Sequence, residues 1–233
     1  MPRVSVVLPC FNTAAYLGEA IDSILGQTLQ DLELIVVDDA STDASADIAR
    51  ACRDPRVRFT SLASNSGYPV AMNHGLALVR SPYVARMDAD DTCRPTRLAV
   101  QVELLDREPR LTLVGSEWYL VTPGGRVHER PAPGEPEARD WLEESWQSLY
   151  DGTRRFNDPS AVARTQAVRE AGGYRTYQRS VQDLDLWLRL AERGGGVASC
   201  LTPLYGRRLN PRSLVYSGRR ASFDALGTEG HEP

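Results

Sequence analysis

Tyr83-Val84-Ala85-Arg86-Met87-Asp88-Ala89-Asp90-Asp91 is the stretch on which the fold and chemistry of this chain turn. A short run of strand type ends there in a cluster of carboxylates. The same arrangement stands upstream, where Leu34-Ile35-Val36-Val37 runs into Asp38-Asp39. In open α/β sheets, ligands gather at the carboxyl ends of the strands. Acids massed at two such ends, with no Lys beside them, call for a divalent cation and a polyanion that shares it. The residues point to a metal-assisted, nucleotide-using transferase.

Working outward, Val4 to Leu8 reads as a buried strand stopped by Pro9. Helical periodicity follows from Tyr16 through Ala20, Ile21, Ile24 and Leu25 to about Gln27. Glu33 to Val37 is the second strand, and Ser41-Thr42 can cap a helix from Asp43 to Cys52. Val57–Thr60 (strand), Val70–Val79 (helix) and Tyr83–Met87 (strand) continue the alternation. A helix opened by Pro95 and a strand at Leu111–Val114 complete it. This βαβαβαβαβ order is the signature of a mostly parallel sheet with helices on both faces. The pattern then changes. A hairpin is expected over Glu117–Glu129, a Pro-rich linker at Pro131–Pro136 and an acidic helix at Glu137–Tyr150. Further on come a strand piece at Val162-Ala163, helices at Gln166–Ala171 and Asp183–Arg193, and a strand near Leu201–Tyr205. The organisation expected is a nucleotide-binding half over 1–115 and a smaller mixed half over 116–216 of the same domain. A polar, disordered tail is expected over 217–233.

Composition narrows the chemistry. The chain has 233 residues, 42% apolar and 25% charged, with net charge −4 and no long run of either sign. This is an ordinary globular balance, and it argues against nucleic acid as the main partner. All 27 basic residues are Arg. Without Lys there is no Walker A lysine, kinase-type strand lysine, Schiff base or receiver-domain lysine. Phosphates fall to metal, Arg or backbone N–H groups. The four cysteines, Cys10, Cys52, Cys93 and Cys200, are far apart, and with three His the chain offers no zinc spacing. Sparse cysteines, no leader-like start and no long apolar run fit a soluble cytoplasmic protein. Peripheral attachment at the inner face of a membrane, through the Arg-rich end, stays open.

In an extended loop, Asp88 and Asp90 project to the same side and can face one ion, Mg²⁺ or Mn²⁺. The plain alternative is a polar loop with a helix cap at Asp91. Asp38-Asp39 can accept from a nucleobase or ribose, or make an Asx-turn into the next helix. Asn65 and Gly67 suit turns, whereas Gly75, in mid-helix beside Asn73 and His74, needs a packing or ligand reason. Asp183 opens a helix, where the dipole favours its ionised form. It is a candidate general base, with an N-cap carboxylate as the alternative. His74 reads as structural, and core packing is the safer reading for most of Trp118, Trp141, Trp146 and Trp187.

Four ordered segments carry a family resemblance over roughly residues 3 to 216. They are Val4-Ser5-Val6-Val7-Leu8-Pro9-Cys10-Phe11-Asn12; Ser23 to Thr28 followed by Glu33 to Asp43; Asn65-Ser66-Gly67 with Ala71 to Leu76; and Ala85 to Asp91. Together they resemble the family 2 glycosyltransferases, inverting enzymes of the GT-A fold that use nucleotide-diphosphate sugars. The resemblance implies that Asp39 contacts the base, that Asp88 lies against the nucleotide sugar or metal, and that Asp90 ligates Mn²⁺ or Mg²⁺. Donor contacts are expected from Pro9, Phe11, Asn12, Asp38, Asn65, Gly67, Asn73, Arg86 and Ala89 as well. Asp183 matches the catalytic base that deprotonates the acceptor hydroxyl for attack at the anomeric carbon. UDP-sugars come first among the donors, and the acceptor is a glycan, a lipid-linked intermediate or a small molecule. Three positions depart from the family pattern: Gln182 for Glu, Asp158 for the His of His-Pro-Ser, and Asn210 for a His near the metal. A nucleotide-sugar-binding regulator of low activity is the competing reading. A nucleotidyltransferase lacks its Gly-rich basic loop here, and a two-carboxylate glycosidase would not crowd its acids into one loop.

Overall fold

Residue-by-residue alternation along the strands decides how the sheet is clothed. In β1 (Val4–Cys10) and β2 (Leu32–Asp38) every residue is buried, as strands covered on both faces must be. Val4, Val6, Leu8, Leu34 and Val36 face one core, together with Leu17, Ile21 and Ile24 of α1 (Leu17–Leu25) and Leu98, Val102 and Leu105 of α4 (Arg97–Arg107). Val7, Ile35 and Val37 face the other, against Ala71, Met72 and Leu76 of α3 (Tyr68–Leu78) and Leu186, Trp187 and Leu190 of α7 (Gln182–Glu192). The computed structural model describes residues 1–128, 140–153, 156–177 and 181–210. The linker expected at Pro131–Pro136, the tail expected over 217–233, and Glu129 and Pro211 lie outside the described residues.

The remaining elements are α2 (Ser45–Ala51), β3 (Val57–Ser61), β4 (Tyr83–Arg86), β5 (Thr92–Cys93), β6 (Leu111–Val121), β7 (Val127–His128), β8 (Trp141–Glu144), α5 (Trp146–Tyr150), β9 (Val162–Arg164), α6 (Thr165–Glu170) and β10 (Gly196–Arg208). Among the described residues they form one sheet in the order β3-β2-β1-β4-β9-β6-β10-β5, with β7 on β6 and β8 on β10. β3, β2, β1 and β4 are parallel neighbours, and so are β6 and β10. β9 runs antiparallel between β4 and β6. The fifth strand of the expected alternation therefore does not pair with the fourth, because a later strand is inserted between them.

Other expectations are corrected by tertiary pairing. Pro9 does not stop β1. The Val7 carbonyl accepts the Met87 N–H on the β4 side, and Pro9 faces that same side beyond the last β4 pair, so its missing N–H leaves no bond unmade. The hairpin stands between β6 and β7, but β6 reaches back through the expected break as one strand because bulged β10 pairs along its length. In the described part of the expected acidic helix, 141–144 is a strand on β10 and only Trp146–Tyr150 is helical. An available strand edge outweighs the helix propensity of Glu. Gly75 has a packing reason: a Cβ there would lie 2.4 Å from Val7 Cγ1, so the glycine lets α3 sit directly on β1.

Candidate active site

The strand ends place the two acid clusters side by side, but give them different surroundings. Asp38 ends β2, almost fully buried. Its Oδ1 accepts the Ser41 N–H (3.1 Å) and its Oδ2 the Ser61 hydroxyl (2.9 Å). Asp39 accepts the Ser66 N–H on Oδ1 and the Gly67 N–H on Oδ2, both at 2.8 Å. It thus places a carboxylate at the start of α3. Each oxygen keeps a second lone pair for a ligand. Ser41 and Thr42 do not cap α2 as expected. The Asn12 side-chain oxygen accepts the Thr42 and Asp43 N–H groups, the Asn12 N–H donates to the Ser41 hydroxyl, and Asp43 accepts the Ser45 N–H. The loops after β1 and β2 are stitched together, with Asn12 (φ 53°) and Ala40 (φ 58°) in left-handed backbone at the seam. Pro9 is buried beside this seam, Phe11 and Asn65 are exposed, and Cys10 is no nucleophile: burial, with Asp38 beside it, pushes its thiol up to about 12.

The second cluster draws its donors mostly from distant residues, not from the loop beside it. The Asp88 N–H donates to the Tyr205 hydroxyl (3.1 Å), and Asp88 Oδ1 receives Arg86 Nη2 (2.8 Å) and the Tyr68 hydroxyl (3.3 Å). Asp90 Oδ2 accepts from the Asn210 amide (2.9 Å), and Asp91 Oδ1 from the Arg208 N–H (2.7 Å). Ala89 is buried between the acids. Burial, then the Asp88 charge, raises the Asp90 carboxyl, and burial with Asp90 and Asp88 raises Asp91 well above the usual range. A cation would relieve that crowding, so the donor set fits a divalent ion. Among the described residues no three acid, His or Cys side chains group into a cation site of their own. Two carboxylates with a ligand's phosphates completing the shell is the arrangement the residues suit.

Asp183 lies in the first turn of α7, in the same network and not as a free cap. Its Oδ1 is 2.6 Å from Arg86 Nη1, an ion pair without hydrogen-bond alignment. Burial, opposed by Arg86 and reinforced by Asp158 and Asp88, pushes Asp183 up to about 6. That is the range in which a carboxylate serves as a base near neutral pH. Asp158 accepts the Trp187 Nε1–H (2.9 Å), and Trp187 packs edge-on against Tyr174. Asn73 is engaged elsewhere, with its side chain bonded to both the N–H and the carbonyl of Tyr174. His74 bonds Thr60 as a structural residue would, and Trp141 and Trp187 are buried while Trp146 is exposed. Sequence reasoning missed Tyr68, Tyr174 and Tyr205 as site walls. Tyr205 is 117 positions from Asp88, and no local pattern announces it.

The model of glycosyl transferase family 2 covers residues 5–173. The putative glycosyltransferase EpsE of Bacillus subtilis is 33% identical over 226 residues, 93% of this chain and 78% of the relative. The chain belongs to glycosyl transferase family 2. The succinoglycan biosynthesis protein ExoO of Rhizobium meliloti is 40% identical to this family 2 chain over 106 residues, 46% of the chain and 30% of ExoO. The crystal structure of S. aureus TarS 1-349 in complex with UDP-GlcNAc matches with TM-score 0.73 at 19% identity, over 90% of this chain and 59% of TarS. The chain therefore spans about three fifths of the matched TarS fragment, and its fold is the GT-A fold. Among the described residues no helix is long and apolar enough to cross a membrane.

Proposed function

We propose that this family 2 glycosyltransferase moves a sugar from a UDP-sugar to an acceptor hydroxyl in one step, with inversion at the anomeric carbon. The observation that carries it is the single buried network joining Asp183, a carboxylate raised to about 6, to Asp88 of the Asp88-Ala89-Asp90 loop. Asp183 takes the proton of the acceptor hydroxyl as its oxygen attacks. Asp39 and the Asn65–Gly67 loop receive the nucleobase, with Asn12 and Phe11 on the seam beside it. Asp88 and Asp90 hold Mn²⁺ or Mg²⁺, which when bound offsets the charge of the diphosphate leaving group. UDP as the nucleotide is supported by the TarS complexes with UDP and UDP-GlcNAc. The name of ExoO, a succinoglycan biosynthesis protein, supports a glycosyl acceptor in polysaccharide assembly. The donor half is assigned to 1–115 and the acceptor half to 116–216. Four free cysteines support a cytoplasmic setting.

One observation favours the weaker alternative, a donor-binding protein of low turnover. The Asn210 amide takes an oxygen of Asp90 that a cation needs. Incubation with UDP-GlcNAc and other UDP-sugars, a panel of glycan acceptors and Mn²⁺ separates the two. The expected result is UDP release coupled to product of inverted configuration, lost in Asp183→Asn. A retained configuration, or a fully active Asp183→Asn, contradicts the mechanism; donor binding with no transfer supports the alternative.

A further inference from the structure

Arg86 stands among the expected donor contacts, and its guanidinium meets two carboxylates of the candidate site. The residue is 5% exposed at the end of β4, with its N–H on the Ala161 carbonyl and its own carbonyl on Arg97 Nη2. Nη2 meets Asp88 Oδ1 at 2.8 Å, Nη1 lies 2.6 Å from Asp183 Oδ1, and the Tyr68 ring packs 5.0 Å from the guanidinium carbon. Among the described residues Nε has no hydrogen-bond partner, and Arg86 lines a cavity of about 20 Å³ together with Met72, Leu76, Val84 and Tyr174. One cation thus serves two carboxylates assigned to opposite sides of the reaction. Tyr68, Tyr174 and the Asp158–Trp187 pair close the space around it. With Arg86 removed, Asp88 and Asp183 would lose the cation they share in a largely buried space.

We propose that Arg86 is a positioning residue for the transfer, one that holds the Asp183 carboxylate through Oδ1, so that Oδ2, 3.5 Å from Gln182 Nε2, takes the acceptor proton, and that ties this setting to Asp88 on the donor side. This rests on the role proposed above for Asp183. Lys at this position keeps the charge but cannot span both acids, because an ammonium lacks the planar fork.

The test joins activity to melting. Arg86→Lys is expected to fold and to lose transfer at least tenfold. Arg86→Ala is expected to lose more and to regain part of its rate with added guanidinium ion, which fits the vacated space, but not with an equal concentration of sodium. At pH 8, Arg86→Met is expected to melt below the wild type, and Arg86→Met/Asp183→Asn above Arg86→Met alone, because Asn relieves a buried charge left without its partner. Full activity of Arg86→Lys, equal response to sodium and guanidinium, or additive melting shifts would each overturn the positioning role. A wild type that transfers nothing from any UDP-sugar, yet shows the melting coupling, would instead overturn the proposed function and leave Arg86 as a structural bridge.

Discussion

Asp38-Asp39 and Asp88-Ala89-Asp90-Asp91 look alike in sequence and are opposite in environment. The first pair ends β2 with its oxygens answered by the N–H groups of Ser41, Ser66 and Gly67 and the Ser61 hydroxyl. The second cluster is crowded by its own members, so that burial and mutual repulsion raise Asp90 and Asp91. Loop donors anchor the first pair, whereas the second keeps acids pressed on one another, and a cation is the counter-charge proposed for it. The distinction depends on what the fold brings from elsewhere, not on the acids themselves.

Four substitutions and one pH profile probe that contrast, opening with the largest effect. Asp183→Asn should reduce transfer by roughly 10²–10⁴-fold, the usual value of a general base, while donor affinity measured by calorimetry stays close to wild type. Asp39→Ala should destabilise the fold by about 2 kcal/mol in denaturant titration, since it removes the charged acceptor of two N–H bonds. Asp90→Asn, by contrast, should leave stability near wild type, and an equal loss in both variants would erase the difference between the clusters. Gly75→Ala should cost roughly 1–3 kcal/mol by forcing α3 off Val7, and with it the N–H groups that Asp39 anchors. The mildest probe is pH. With Asp183 raised to about 6, transfer at saturating donor should rise as pH climbs through that value and level off above it, because only the ionised carboxylate accepts a proton. A limb near the ordinary carboxylate range would mean that Asp183 is more solvated than its surroundings indicate.

The parallel half was readable because its strands are apolar throughout and its helices carry their own periodicity; β1 to β4 and α1 to α4 fall close to where the pattern sets them. The mixed half was harder to read. Trp141–Glu144 forms a strand only because β10 offers an edge, and two-residue β5 exists only through Tyr205 and Gly206. The same holds at the site. Asp88, Asp90 and Asp183 are visible as motif residues, but the bond of Tyr205 to the Asp88 backbone, 117 positions away, and the sharing of Arg86 between Asp88 and Asp183 are set only by the fold. Asn73 and Arg86 show the reverse case. Both sit within motif segments, yet Asn73 bonds the Tyr174 backbone and Arg86 pairs with two acids of the site, partners that no local pattern announces.

The most direct test of the contrast between the clusters is calorimetric titration of UDP into the wild type and into Asp90→Asn, with and without Mn²⁺. Binding that needs Mn²⁺ in the wild type and vanishes in Asp90→Asn is the expected result. Binding of equal strength without the metal, or in the variant, would contradict the assignment of the Asp88–Asp91 loop as the seat of the cation.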